Sequence, residues 1–156
     1  MAVEAAGVNF VDALFVGGHY QIKPPLPFTP GSEVAGRVIA LGEEVSDLSV
    51  GDRVMATTGL GGFASHVALA ASGLSPLPDA LDAPRAATFS QSFSTCLYAF
   101  RERAQLQPGE SVLVLGAGGG IGLAAIAVAR ALGARVIGAA SSDEKRQAAP
   151  PLHAGQ

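Results

Sequence analysis

The chain has 156 residues, 49% hydrophobic and 15% charged, with a formal net charge of −3 at pH 7. That composition excludes intrinsic disorder, and it excludes a nucleic-acid face, which would need clustered Lys and Arg. No uninterrupted apolar run approaches the roughly 20 residues of a membrane-spanning helix. The opening "MAVEAAGVNF" has neither a basic stretch nor a long apolar one, so no signal peptide is expected and the expected compartment is the cytoplasm. A single cysteine, Cys96, can form no internal disulfide and cannot by itself build a structural zinc site.

Residues 1–82 carry short apolar runs punctuated by Gly and Pro. "NFVDALF" predicts a short helical turn after Asn9, and "KPPLPFTPG" predicts an extended loop, because closely spaced prolines fix φ and remove donors. "EVAGRVIALG", "DRVMATT" and "FASHVALA" alternate as strands do, which predicts a small irregular β-barrel or sandwich. From Asp82 the texture changes to one long helical segment, with Asp82 as cap and Pro84 in the first turn. "SVLVL" then reads as a strand buried on both faces, and Ile121, Ala125, Val128 and Leu132 define one face of the helix after it. Gly133 can cap that helix, and "ARVIGAA" is the returning parallel strand. The expected fold class is α/β with a β-rich first part, divided near residues 82–84.

Between those strands lies GAGGGIG, residues 116–122. A dinucleotide turn needs a tight bend after the strand, a residue without a side chain where the pyrophosphate approaches, and a small residue where helix meets strand. Ala117, Gly119 and Gly122 fill those places as an A-x-G-x-x-G variant, with Gly118 beside them. The amides of Gly119, Gly120 and Ile121 then point at phosphates from the helix N-terminus. A glycine-rich turn that binds nothing is the alternative. At the end of the second strand an NAD site offers a carboxylate. Here stand Ala140, Ser141 and Ser142, with Lys145 and Arg146 behind. Hydroxyls plus a cation suit a 2′-phosphate, so NADP(H) is expected; otherwise the two cations solvate an exposed helix.

The ordered set "VEAAGVNFVDALFVGGHY", "PFTPGSEVAGRVIALGEEV", "VGDRV", "GGFASHV" and GAGGGIG resembles the medium-chain dehydrogenase/reductase superfamily. Within it, the pattern is most similar to the zinc-free quinone oxidoreductases related to zeta-crystallin. The resemblance implies a GroES-like irregular β-barrel (1–82) followed by the first βαβ unit of a Rossmann domain (83–156), with substrate between them. It implies NADPH reduction of quinones or conjugated carbonyls, usually by a homodimer. Zinc-dependent relatives carry Cys where this chain has Asn9, and Gly-His-Glu where it has Gly31-Ser32-Glu33. No four-cysteine lobe stands between "GLGG" and "FASHV", so no metal is expected.

The resemblance carries Asn9 and Tyr20 over as the groups that polarise the acceptor carbonyl, through an amide N–H and a phenol O–H. Read without it, Asn9 caps a helix and Tyr20 packs a loop. Thr95 matches a residue near the nicotinamide, Asp12 anchors the turn after Asn9, and Glu33 reads as structural. Cys96 reads as a small buried hydrophobe, and His66 as a strand residue without a catalytic role. Relatives place more strand before "VEAAGVNF" and most of the Rossmann domain after "SSDEK", so a chain partial at both ends is expected. Pro150-Pro151 is expected to end the last helix. An enoyl reductase acting on acyl thioesters and a non-catalytic cofactor- or partner-binding fragment remain the alternatives.

Overall fold

The computed structural model describes residues 1–148; the expected helix stop at Pro150-Pro151 and the side chain of Arg146 lie outside the described residues. Two compact units divide at Ser90/Gln91.

The first unit contains β1 (Ala2–Gly7), α1 (Phe10–Val16), β2 (Glu33–Arg37), β3 (Arg53–Thr57), β4 (Leu74–Pro76) and α2 (Ala83–Ala86). The four strands form one antiparallel sheet in the order β1-β2-β3-β4. Its register pairs Ala6 with Val34, Val34 with Ala56, and Ala56 with Leu74. Val34, Ala35, Val54 and Ala56 are buried, the small apolar residues that half-buried strands pack well. "FASHVALA" contributes less than a strand. It makes one bridge, Ala2 to His66, with Val3 N–H to Ser65 O at 2.9 Å and Val67 N–H to Met1 O at 3.0 Å.

The helical segment expected from Asp82 onward is broken. Asp82 caps α2, its carboxylate accepting from Arg85 N–H at 2.9 Å. Thr88 Oγ1 then donates to Arg85 O at 3.1 Å, a side-chain bond that competes with helix continuation. α2 lays Ala83, Ala86 and the following Ala87 against Ala35 and Leu77. That packing places it in the first unit, so the division falls several residues after the expected 82–84.

The second unit begins within α3 (Ser90–Tyr98) and continues through a wide π turn (Ala99–Arg103), β5 (Ser111–Leu115), α4 (Gly120–Ala131), β6 (Arg135–Ala139) and α5 (Asp143–Ala148). β5 and β6 are parallel, with Val112 opposite Val136 and Val114 opposite Gly138. This is the βαβ unit that the sequence predicts, and the fold class stands as α/β. Gly133, at φ +81°, takes the left-handed position after Leu132 at the end of α4.

Two burial expectations change. Among the described residues β5 is covered on one face only: Val114 is buried, whereas Leu113 is 61% and Leu115 75% exposed. On α4 three of the four residues of the expected face, Ala125, Val128 and Leu132, are buried or packed against the core, and one is not. Ile121 is 51% exposed, whereas Gly122, Ala124, Ala125, Ile126, Val128 and Ala129 are buried. Small residues dominate that face, and they let α3 and the strands approach together around Ile126 and Cys96.

Candidate active site and cofactor cradle

Both candidate catalytic residues are tied to α1. Asn9 is its N-cap, in extended backbone, and its own N–H donates to Asp12 Oδ2 at 2.8 Å. Asp12, 3% exposed, accepts again through Oδ1 from Gly31 N–H at 3.1 Å. One carboxylate therefore clamps the start of α1 to the entry of β2. Gly31 itself has φ +102°, and a Cβ there would collide with Phe63 N, so only glycine serves.

The Asn9 side chain turns toward β2. Its amide nitrogen donates to Glu33 Oε1 at 3.1 Å and to Ser32 Oγ at 3.3 Å. An amide has two N–H groups, and both have acceptors inside the protein. The family resemblance implies this amide as a donor to substrate; the fold engages it, and the bond to Ser32 is the longer of the two. Glu33 is 1% exposed. Asn9 and Ser32, the positions where zinc-dependent relatives carry Cys and His, are bonded to one another. Among the described residues no group of three or more His, Cys, Asp or Glu side chains is arranged to hold a metal.

Tyr20 is held at the other end of α1. Its ring packs against Phe15 at a tilt of 53°, with centroids 4.6 Å apart, and Phe28 meets the same Phe15 edge-on at 6.5 Å. Its backbone N–H donates to Leu14 O at 3.2 Å. The short helix thus carries one candidate at each terminus, which local pattern alone does not show.

The glycine turn forms in the second unit. Gly116, at φ +69°, makes the tight bend directly after β5, the role that the sequence pattern assigns to Ala117. Ala117 is buried, and its N–H donates to Ala139 O at 2.9 Å, fixing the turn to the end of β6. Gly119 N–H donates to Gly116 O at 3.0 Å, so this amide closes the turn and does not point outward as expected. Gly120 and Ile121 open α4, where the first-turn N–H groups have no intrahelical acceptor. Gly119 has only Gly116 O, at 3.5 Å, near where its Cβ would stand, which leaves its outer side open. Gly122 has no such room: a Cβ there would fall on Gly116 O.

Two residues that the sequence pattern underrates line this turn. Cys96 Sγ donates to Ile121 O at 3.5 Å, and Ser92 Oγ lies 3.9 Å from where a Gly120 Cβ would be. Ser92 and Cys96 are four residues apart, hence on one face of α3, and that spacing is the available signal. Thr95 is exposed on the same helix, with no contact to the glycine turn among those described. At the far edge, Ser142 Oγ accepts from Lys145 N–H at 3.3 Å, capping α5, and Lys145 packs against Gly118. Ser141 is exposed between β6 and that cap. The open Gly119 and the α4 N-terminus have the form that a dinucleotide's pyrophosphate requires.

Burial pushes the Cys96 thiol above its usual 9.0, which keeps it a donor. The folded state then holds the thiol proton more tightly than the unfolded state. Its contribution to stability is fully present below the unfolded pKa and is lost as pH rises through the folded one. Denaturant unfolding from about pH 8 to 10 is expected to show stability falling with pH, and Cys96→Ala is expected to flatten that decline.

An antiparallel sheet that feeds a polar Asn-Ser-Glu cluster, joined in sequence to a strand–glycine turn–helix unit, defines a medium-chain dehydrogenase/reductase. Residues 1–79 match the alcohol dehydrogenase GroES-like domain, and the chain belongs to that family. It is 41% identical over 146 residues to the quinone oxidoreductase-like protein 2 homolog of Nematostella vectensis, covering 92% of this chain and 40% of that one. The solved quinone oxidoreductase of Thermus thermophilus, also known in complex with NADPH, superposes with TM-score 0.79 at 44% identity, covering 93% of this chain and 45% of that one. The CurK enoyl reductase superposes with TM-score 0.82 at 32% identity, covering 94% and 46%. The chain thus spans less than half the length of these relatives.

Proposed function

We propose that the chain carries the substrate-polarising residues and the cofactor cradle of a zinc-independent, NADPH-dependent reductase of quinones or conjugated carbonyls. The observation that carries this reading is the glycine turn, open at Gly119 and flanked by Lys145. Gly120 and Ile121 hold the pyrophosphate through their N–H groups, with Ser141, Ser142 and Lys145 at the ribose phosphate and Thr95 toward the nicotinamide. NADPH, when bound, supplies a hydride to the electron-poor carbon of the acceptor. Tyr20, fixed by Phe15, donates through its phenol O–H to the oxygen that gains charge. Asn9 donates to the same oxygen when Ser32 yields its 3.3 Å bond, while Glu33 keeps the amide oriented. Likeness to quinone oxidoreductases on the one hand and to an enoyl reductase on the other leaves two acceptor classes to compare, a quinone and an enoyl thioester. A homodimer is part of the same proposal.

The test is NADPH consumption by the purified chain with a p-quinone and, separately, an enoyl thioester. Faster consumption with the quinone is expected, and Tyr20→Phe is expected to lower it roughly tenfold or more. Faster consumption with the thioester would assign the enoyl reductase class. Bound nucleotide that neither acceptor consumes would leave cofactor binding without catalysis and overturn the proposal.

A further inference from the structure

Resting on the cofactor reading above, we propose that Ser92 is a further cofactor-binding residue: its hydroxyl donates to the pyrophosphate across the gap that the missing side chain of Gly120 leaves. Ser92 lies in α3, outside the strand, turn and helix that make up the cradle. It is 9% exposed, and among the described residues its Oγ has no hydrogen-bond partner. No fully buried side-chain oxygen or nitrogen lacks a partner among those residues, so this hydroxyl keeps a path to the surface. It faces the start of α4: Ser92 Oγ stands 3.9 Å from where a Gly120 Cβ would be, and no other atom outside α4 and its adjoining residues comes within 4 Å of that point. One turn further along α3, Cys96 Sγ donates to Ile121 O at 3.5 Å, which fixes the two helices at this spacing.

Packing does not explain this serine. Cys96, Ala124, Ala125 and Ile126 form the core beside it, and an alanine at 92 would fill the same place without the cost of burying an unpaired hydroxyl. Helix propensity favours alanine as well. A helical serine commonly turns its hydroxyl back to the carbonyl four residues earlier, and Ser92 makes no such bond among the described residues. What the hydroxyl adds is a donor at the end of a 12-residue helix whose N-cap, Gly119, supplies no side-chain cap. The free first-turn N–H groups and the helix dipole favour an anion there. A phosphate oxygen in that place meets the amides of Gly120 and Ile121 on one side and Ser92 O–H on the other, a charge-assisted bond. NADPH and NADH carry the same pyrophosphate, so Ser92 strengthens both alike and leaves their ratio untouched.

The experiment titrates NADPH and NADH into the wild-type chain, Ser92→Ala, Gly120→Ala and the double variant, with a thermal melt of each without nucleotide. Ser92→Ala is expected to melt at or above the wild-type temperature while both nucleotides bind roughly tenfold more weakly, the order set by one charge-assisted contact. The methyl of Gly120→Ala would stand in the gap that the hydroxyl must cross, so the double variant is expected to bind no more weakly than Gly120→Ala alone. Unchanged affinities in Ser92→Ala would overturn the proposal, as would a loss confined to one nucleotide. A loss accompanied by a lower melting temperature would assign Ser92 to packing and overturn it too. Losses that multiply in the double variant would contradict the shared gap. These results sink this inference alone; a wild-type chain that binds neither nucleotide sinks the cofactor reading with it.

Discussion

Gly122→Ala is expected to destabilise the second unit by about 3 kcal/mol, the upper range for a forced overpacking, and to abolish nucleotide binding. The added methyl would fall on Gly116 O, with Ala117 Cα at 2.8 Å and Gly116 C at 2.9 Å. All three are backbone atoms of the turn, so no rotamer change relieves the clash. The turn would have to part from α4, and two hydrogen bonds oppose that: Gly119 N–H to Gly116 O and Ala117 N–H to Ala139 O. Gly119→Ala gives the contrast. Its methyl meets only Gly116 O, at an ordinary 3.5 Å, so stability is expected to change by less than about 1 kcal/mol, while binding is lost because the methyl occupies the open side of the turn. Thermal melts with nucleotide titrations separate the two; equal melting temperatures for the two variants would contradict this account of the turn.

Asp12→Asn is expected to cost the first unit about 2–4 kcal/mol, although the replacement is nearly isosteric, because it disturbs two hydrogen bonds at once. Both Asp12 oxygens accept backbone N–H groups, from Asn9 at 2.8 Å and Gly31 at 3.1 Å. Asparagine has one acceptor oxygen and turns an NH2 toward the other donor. The loss combines a charge-assisted bond with a buried N–H left without a partner, each worth roughly 1–3 kcal/mol. Because the same carboxylate holds α1 against the Gly31-Ser32-Glu33 corner, the Asn9 bonds to Ser32 and Glu33 loosen with it. Equilibrium unfolding in urea checks the magnitude, and a loss below about 1 kcal/mol would mean that the clamp is not stabilising.

Much of this is legible in the sequence because it is local. The alternation of "DRVMATT", the Gly17-Gly18 stop after "NFVDALF" and the strand–glycine–helix order around 116–122 each need only a few neighbouring residues to be read. The features that local pattern misplaces depend on distant partners. The periodicity of α4 places Ile121 in the core beside Ala125, Val128 and Leu132, yet Ile121 alone of the four is exposed, and the small Gly122, Ala124 and Ala129 are buried in addition. The glycine pattern assigns Ala117 the bend that positive φ gives to Gly116. Asn9 reads from its neighbours as a helix cap, which it is, and as a donor to substrate only through the family resemblance; its acceptors, Ser32 and Glu33, lie more than 20 residues away in sequence and reach it only through the sheet. The Gly118–Lys145 contact is hidden for the same reason, since a run of glycines gives no sign of which one is required by packing.

The most direct measurement of the central claim is a fluorescence titration of the wild-type chain with NADPH, with NADH as control and Gly119→Ala as the blocked cradle. Saturable binding that favours NADPH and disappears in Gly119→Ala is the predicted result. No saturation with either nucleotide, or binding that survives in Gly119→Ala, would contradict the assignment of residues 116–122 and Lys145 as a cofactor cradle.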